Sequence, residues 1–361
     1  MVNLGIIGCG RIIETVHLPV LQRLRGVHLY AACDARDDRL RLVQQAFGIS
    51  QLYSDWTELI ADHRLDAVLI ATPGDSHRVL AAAALDTHRH VLVEKPFALS
   101  VADGEALAKK ARDPSLVNMV GFNYRFHPLA RQLKAIIERG AIGRPLAAFT
   151  TFMTSADQRI SITDYKSNPE RGGGVFHDKA AHNLDVLRFV FDCEVVHAKA
   201  TARSEVHVQD FGMIELELAN GVQVSGCFSN RAIPDCSLVI FGDEGKVMVN
   251  FTRPTGVLLY RKEFSRTRAT KFWSYVRQAP RIIASTACLA TARGRLSSYF
   301  NQWQHFFSCI ESHHRATPNF EDGLAVTRTV SQLIDSLADS SGPSVETPRT
   351  GRPSERRFGA G

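Results

Sequence analysis

The chain lacks a cysteine framework. Its seven cysteines, at positions 9, 33, 193, 227, 236, 288 and 309, are odd in number and scattered, and no Cys-x-x-Cys pair occurs. That pattern excludes a disulfide-stapled fold and a structural zinc site, and it fits a reducing cytoplasm. Long apolar runs are also missing: no stretch approaches the roughly 18 to 20 residues that span a bilayer. Met1 leads directly into a strand-like run without a basic region and cleavage site, so neither secretion nor a transmembrane helix is expected. The net charge of +6 does not spread over the body. Residues 261 to 295 hold nine Lys/Arg against Glu263, and residues 341 to 361 hold four Arg against two Glu, leaving the remainder near −4. A body without a basic surface is a poor partner for nucleic acid.

What is present is enough for two ordinary cores, 361 residues with 45% hydrophobic. The apolar run from Asn3 ends in Gly8-Cys9-Gly10-Arg11-Ile12-Ile13, and helical spacing follows through Val16, Val20, Leu21 and Leu24. Strand, glycine turn and helix in that order form the context of a dinucleotide fingerprint. Gly8 permits the tight turn, and Gly10 lets the backbone, with Arg11 and Ile12, approach a pyrophosphate. Ile13 stands where a third glycine would allow close packing. A second run, Leu29 to Cys33, ends in Asp34, placed to accept both ribose hydroxyls. Asp34 repels a 2′-phosphate and favours NAD, while the nearby Arg36 and Arg39 keep NADP open.

Further strand-then-helix units follow at residues 66–72, 90–94 and 117–122, predicting a parallel sheet with right-handed crossovers. Thr72-Pro73, Glu94-Lys95-Pro96 and Asn123-Tyr124-Arg125 then fall at carboxyl ends of strands, where such sheets bind ligands. The second half alternates or runs apolar over 146–153, 195–201, 212–218, 222–228, 237–241 and 246–251, with turns such as Asn220-Gly221 between, which predicts hairpins. Between them lies Gly172-Gly173-Gly174, opening a segment whose apolar face is Val175, Leu184, Leu187 and Val190. Asp178 and His182 are four apart on it, a spacing that lets both reach one small molecule. An N-terminal carboxylate favoured by the helix dipole beside a core histidine is the competing explanation.

Taken together, Gly8-Cys9-Gly10, Asp34, Thr72-Pro73, Glu94-Lys95-Pro96, the Gly-Arg-Pro turn at 143–145 and Gly172-Gly173-Gly174 with Asp178, His182 and Asp185 resemble the Gfo/Idh/MocA oxidoreductases. The resemblance implies an α/β chain: a Rossmann domain (1–124) followed by an α/β domain (125–340) with a large, mostly antiparallel open sheet, whose exposed face often joins subunits into a dimer or tetramer. It implies a hydride transfer between NAD(P) and a secondary hydroxyl or ketone of a sugar, cyclitol or nucleotide-linked sugar. Lys95 then holds a substrate hydroxyl and the nicotinamide ribose, His182 is the general acid/base and Asp178 binds substrate, with Thr72, Pro73 and Glu94 at the cofactor and Tyr124 and Arg125 lining the sugar pocket. Proton loss accompanies hydride loss from a carbinol carbon, and an imidazole suits that task. Lys95 would steady the developing alkoxide, so no metal is required.

The departures are Lys179 and Ala180, where the family usually has an apolar residue and often a glycine. Lys179 can reach an anionic group on the substrate and, with the basic insertion at about 261–298, inclines the choice toward a sugar nucleotide. That insertion reads as a solvated helical hairpin, with membrane-surface contact the alternative. Residues 341–361 read as a disordered tail. A cofactor-binding regulatory or scaffold protein without turnover is the alternative function, opposed by the intact Lys95, Asp178 and His182; a glycosidase that begins with a redox step is a minor one.

Overall fold

The computed structural model describes residues 1–155, 168–252, 256–262, 276 and 296–339. Most of the basic insertion and the whole tail after 340 lie outside them. Six strands, β1 Val2–Ile7, β2 Val27–Cys33, β3 Gln51–Tyr53, β4 Ala67–Ile70, β5 His90–Val93 and β6 Asn118–Val120, form one parallel sheet in the order β3-β2-β1-β4-β5-β6. Parallel neighbours require crossovers. These are a π-helical turn, Ile13–His17, running into α1 Leu18–Leu21, then α2 Asp37–Phe47, α3 Trp56–Ala61, α4 His77–Asp86 and α5 Val101–Lys110. Strand order reverses between β1 and β4, so a crevice opens beyond their carboxyl ends. Both faces of the sheet are covered, and the period-2 alternation divides them: Val68, Ile70, Val91 and Val93 enter one core, Ala67, Leu69 and Leu92 the other.

After a 3₁₀ turn at Asn123–Phe126 come α6 Pro128–Glu138, β7 Pro145–Ser155 and, past the three glycines, a π-helical turn at Phe176–Ala180 that continues as α7 Ala181–Phe191. Val175, Leu184, Leu187 and Val190 are all buried, as their spacing predicts. The strands β8 Val195–Arg203, β9 Phe211–Leu218, β10 Gln223–Ser229, β11 Arg231–Gly242, β12 Gly245–Asn250 and β13 Val257–Arg261 join β7 in a second sheet ordered β13-β12-β11-β7-β10-β9-β8. Every adjacent pair is antiparallel except β7 with β10. Gly221, at φ +83°, makes the β9–β10 hairpin in a conformation that favours glycine. Ala148, Ile214, Leu238 and Ile240 point into the core, whereas Phe149, Met213 and Phe241 on the opposite face are exposed.

Two last helices return to the first half. Ser297–Ser312 (α8) carries Trp303, Phe306 and Phe307 into the core on one face of the parallel sheet. Phe320–Asp339 (α9) packs between α5 and β8, with the Phe320 ring 4.8 Å from that of Phe97. Gly323 allows this approach, because a Cβ there would lie 2.5 Å from the Phe97 ring. Among the described residues no helix is long and apolar enough to cross a membrane.

Candidate active site

The glycine turn after β1 is shaped by contact. Gly8 sits at φ +90°, and a Cβ on it would lie 2.9 Å from the Ala71 carbonyl at the end of β4. Gly10, by contrast, faces open space. A backbone bare on that side has room for a pyrophosphate, which satisfies the fit expected of a dinucleotide site. Ile13 is fully buried, and it opens the π-helical turn.

Asp34, just past β2, accepts the Cys9 N–H at 2.7 Å and the Arg36 N–H at 2.9 Å, which locks its carboxylate beside the glycine turn. Burial and then the Asp34 charge push the Cys9 thiol up to about 12, so it is uncharged there. The two arginines that could bind a 2′-phosphate are engaged elsewhere. Arg36 pairs with Asp38 at 2.6 Å and Arg39 with Glu14 at 3.4 Å.

At the end of β4 the Thr72 hydroxyl bonds that of Ser76 at 2.6 Å, and the buried His77 ring lies between the Thr72 carbonyl (2.9 Å) and the Pro96 carbonyl (2.8 Å). His77 thereby ties the Thr72-Pro73 loop to the Glu94-Lys95-Pro96 loop. Burial lowers its pKa, although two carbonyl partners favour the doubly protonated ring; the neutral form donates to one of them and leaves the other contact without a proton.

Lys95 reaches across to the glycine-led helix, its Nζ donating to the Asp178 carboxylate at 2.7 Å and to the Asp178 carbonyl at 2.8 Å. This pair, 83 residues apart in the chain, is the centre of the candidate site. The π-helical turn alters the simple four-residue arithmetic between Asp178 and His182, because its wider spiral gives the two residues different neighbours. Asp178 turns to Lys95, while the His182 ring packs 5.1 Å from Tyr124 and 6.0 Å from Phe152. Tyr124 also stacks on Phe251 at 5.3 Å, and burial holds its phenol well above the ordinary range. Lys179 is buried beside them: its Nζ donates to the Thr154 hydroxyl at 2.9 Å, lies 3.8 Å from Asp178, and sits 4.9 Å over the Phe152 ring. Lys95, Asp178, Lys179, Phe152, His182 and Tyr124 thus form one contiguous wall.

Arg125 does not join that wall. Its guanidinium donates to both oxygens of the fully buried Asp185 at 2.9 Å and to Asp322 at 3.0 Å, where Arg188 also reaches Asp322 at 3.2 Å. The expectation that it lines a sugar pocket is corrected on that ground: a buried carboxylate pair holds it, and leaving them unpaired would be costly. Burial pushes Asp185 up to about 6 against the opposing Arg125 charge, so it is ionised at neutral pH. His177, next to Asp178 in the chain, lines a small space with Pro96, Phe97 and Ala181, and burial, then the Lys95 charge, push it down to about 4.

Three groups at the site were not legible in the sequence. His17 lies 3.0 Å from Glu94, Trp303 donates to His17 at 3.0 Å, and Tyr299 stands edge-on to His17 at 5.4 Å. Burial, and then the negative charges of Glu94 and Asp178, raise the Tyr299 phenol above its ordinary value. No local signal marks them, since they converge from opposite ends of the chain. Among the described residues no group of three or more His, Cys, Asp or Glu is placed to hold a metal ion.

A doubly covered parallel sheet with a glycine turn and a ribose-length carboxylate at its switch point, joined to a lysine–aspartate pair, defines a pyridine-nucleotide oxidoreductase. Comparison with known proteins agrees. Residues 2–122 match the oxidoreductase family with an NAD-binding Rossmann fold, and residues 130–248 match the GFO/IDH/MocA C-terminal domain. Myo-inositol 2-dehydrogenase of Thermotoga maritima is 30% identical over 273 residues, 73% of this chain and 80% of its own. Inositol 2-dehydrogenase of Rhizobium meliloti is 27% identical over 94% of this chain and 97% of its own. A solved structure of levoglucosan dehydrogenase in complex with NADH shares the fold with a TM-score of 0.80, at 22% identity over 94% of this chain and 97% of that one. The chain belongs to the Gfo/Idh/MocA oxidoreductase family, and its first domain is that family's NAD-binding Rossmann fold.

Proposed function

We propose that the protein is an NAD-dependent dehydrogenase acting on a secondary hydroxyl of a free cyclitol or small sugar. The Lys95–Asp178 pair carries this reading: it fixes a cation at the carboxyl edge of β5 against the wall that holds His182. Residues 1–124 serve as the cofactor domain and 125–340 as the substrate domain. In the cofactor site, Gly8, Gly10, Arg11, Ile12, Thr72, Pro73 and Glu94 would line the crevice that holds NAD, Asp34 would take its ribose hydroxyls, and the cofactor would supply the hydride acceptor. The Lys95 ammonium holds the reacting oxygen and steadies its growing negative charge, worth about 3 kcal/mol for one well-placed donor. His182 removes the hydroxyl proton, and Asp178 orients both Lys95 and a neighbouring substrate hydroxyl. Tyr124 and Phe152 give the sugar an apolar wall. The relatives named for inositol support a cyclitol over the sugar nucleotide that Lys179 suggested, and the Lys179 ammonium already faces Asp178, Thr154 and Phe152.

The reading includes action in the cytoplasm, on the scatter of unpaired cysteines, and a homo-oligomer joined through the exposed sheet face of Phe149, Met213 and Phe241. The test is absorbance at 340 nm with NAD and a panel of inositols, aldoses and nucleotide-linked sugars. One class is expected to be oxidised, with Lys95→Ala and His182→Ala each lowering kcat by roughly 10²- to 10⁴-fold. Turnover surviving both substitutions would refute the assignment.

A further inference from the structure

We propose that His17 is a positioning residue for this reaction: it fixes Glu94, through Glu94 it fixes Lys95, and Trp303 sets the tautomer in which it does so. The proposal rests on the role given above to Lys95.

His17 is completely buried, and both ring nitrogens are in use. Its Nδ1 lies 3.0 Å from the Trp303 indole nitrogen and its Nε2 lies 3.0 Å from Glu94 Oε1. An indole N–H only donates, so Nδ1 must accept. The ring proton therefore sits on Nε2 and is donated to Glu94. The partners dictate the tautomer. The second oxygen of Glu94 accepts the backbone N–H of Lys95 at 3.2 Å. Gly121 leaves the space that this carboxylate fills, because a Cβ there would lie 2.8 Å from Glu94 Oε1. Lys95 is consequently held twice, at its backbone by Glu94 and at its ammonium by Asp178.

The line Trp303, His17, Glu94, Lys95 runs from the aromatic core of α8 to the reacting corner. Trp303 is anchored by stacking on Phe307 at 5.3 Å and by an edge contact with Phe306 at 5.6 Å. Burying an imidazole, an indole N–H and a carboxylate together costs desolvation that an apolar trio would avoid. What the polar line supplies is orientation. An ammonium displaced by about 1 Å from the reacting oxygen loses on the order of 10² in rate.

Four variants test this with the full-length protein, NAD and the panel substrate oxidised fastest: His17→Leu, His17→Gln, His17→Asn and Trp303→Phe. Gln places an amide N–H near the position of Nε2, and Asn places one near Nδ1. The expectation is that His17→Leu lowers kcat about 10²-fold, with KM and the Kd for NADH within about threefold of wild type. His17→Gln should recover most of that loss and His17→Asn little of it. Trp303→Phe, which keeps an aromatic ring but loses the donor, should fall between. Without cofactor, ¹⁵N-histidine NMR should show His17 protonated at Nε2 and not at Nδ1, with the Nδ1 signal moving in Trp303→Phe.

A wild-type kcat in folded His17→Leu overturns the proposal, as do equal losses in the Gln and Asn variants tracking equal falls in Tm, or an Nδ1–H tautomer. Should the Leu variant not fold, the Gln–Asn difference decides. Lys95→Ala is run alongside. If it retains turnover, the reading of the site has failed; if it is inactive while His17→Leu is not, only the positioning role has failed.

Discussion

A carboxylate that accepts two backbone N–H groups resists reorientation, and Asp34 accepts them from Cys9 and Arg36. In the proposed cofactor site its charge is thereby fixed where a 2′-phosphate would come. Asp34→Ala is expected to weaken NADH binding roughly 10- to 100-fold, the loss of one or two charge-assisted hydrogen bonds. NADPH should gain little from that change alone, because Arg36 and Arg39 stay paired with Asp38 and Glu14. Adding Asp38→Asn should release Arg36 and raise NADPH affinity further; an unchanged NADH/NADPH ratio in fluorescence titration would count against the role of Asp34. Residues of this kind are legible in the sequence because a turn and a strand end bring their partners close along the chain. Arg125 was misread for the opposite reason. The Asp322 carboxylate that claims it lies 197 residues further on, and nothing local announces it.

Helix α6 begins at a histidine. His127 caps it through Nδ1, which accepts the Leu129 N–H at 3.1 Å, and burial pushes the ring down to about 4. A protonated Nδ1 cannot accept, so charging this group removes the cap. The sign follows: with the folded pKa depressed, the unfolded chain binds the proton first as pH falls below about 6.5, and stability is lost between there and about 4. Fully developed, the loss is about 3 kcal/mol, at roughly 1.4 kcal/mol per pH unit. His127→Asn keeps a capping side chain and removes the titration, so its Tm should depend less on pH in that window than the wild type. Equal slopes would exclude His127 as the source. The helix, the alternating strands and the Asn220-Gly221 hairpin were readable from periodicity and turn chemistry. The π-helical opening at Phe176–Ala180 was not, because one extra residue in a turn leaves the apolar pattern nearly unchanged while re-aiming Asp178.

Among the described residues, the second sheet is covered on one face only. Phe149 and Phe241 meet edge-to-face at 5.9 Å on the other, 51% and 37% exposed, with Met213 on the same side at 48%. Exposed aromatic clusters on a sheet mark association surfaces. In the proposed oligomer, Phe149→Glu with Met213→Glu should shift the protein to monomer in sedimentation analysis while leaving far-UV circular dichroism unchanged. An unaltered sedimentation coefficient would place any interface elsewhere.

By itself the sequence determined most strands of both sheets, though not the short β3, α3 or β13. It also determined the glycine turn with its Asp34, the Glu94-Lys95-Pro96 corner and the Asp178 helix, since each depends on spacing within a few residues and on backbone preferences. Tertiary structure alone decided which of these meet. It brought α8 back over the parallel sheet so that Trp303 reaches His17, 286 residues earlier, and α9 back so that Asp322 holds Arg125. Such contacts arise because two apolar faces far apart in the chain must both be covered, and the polar groups carried in with them must find partners where they land.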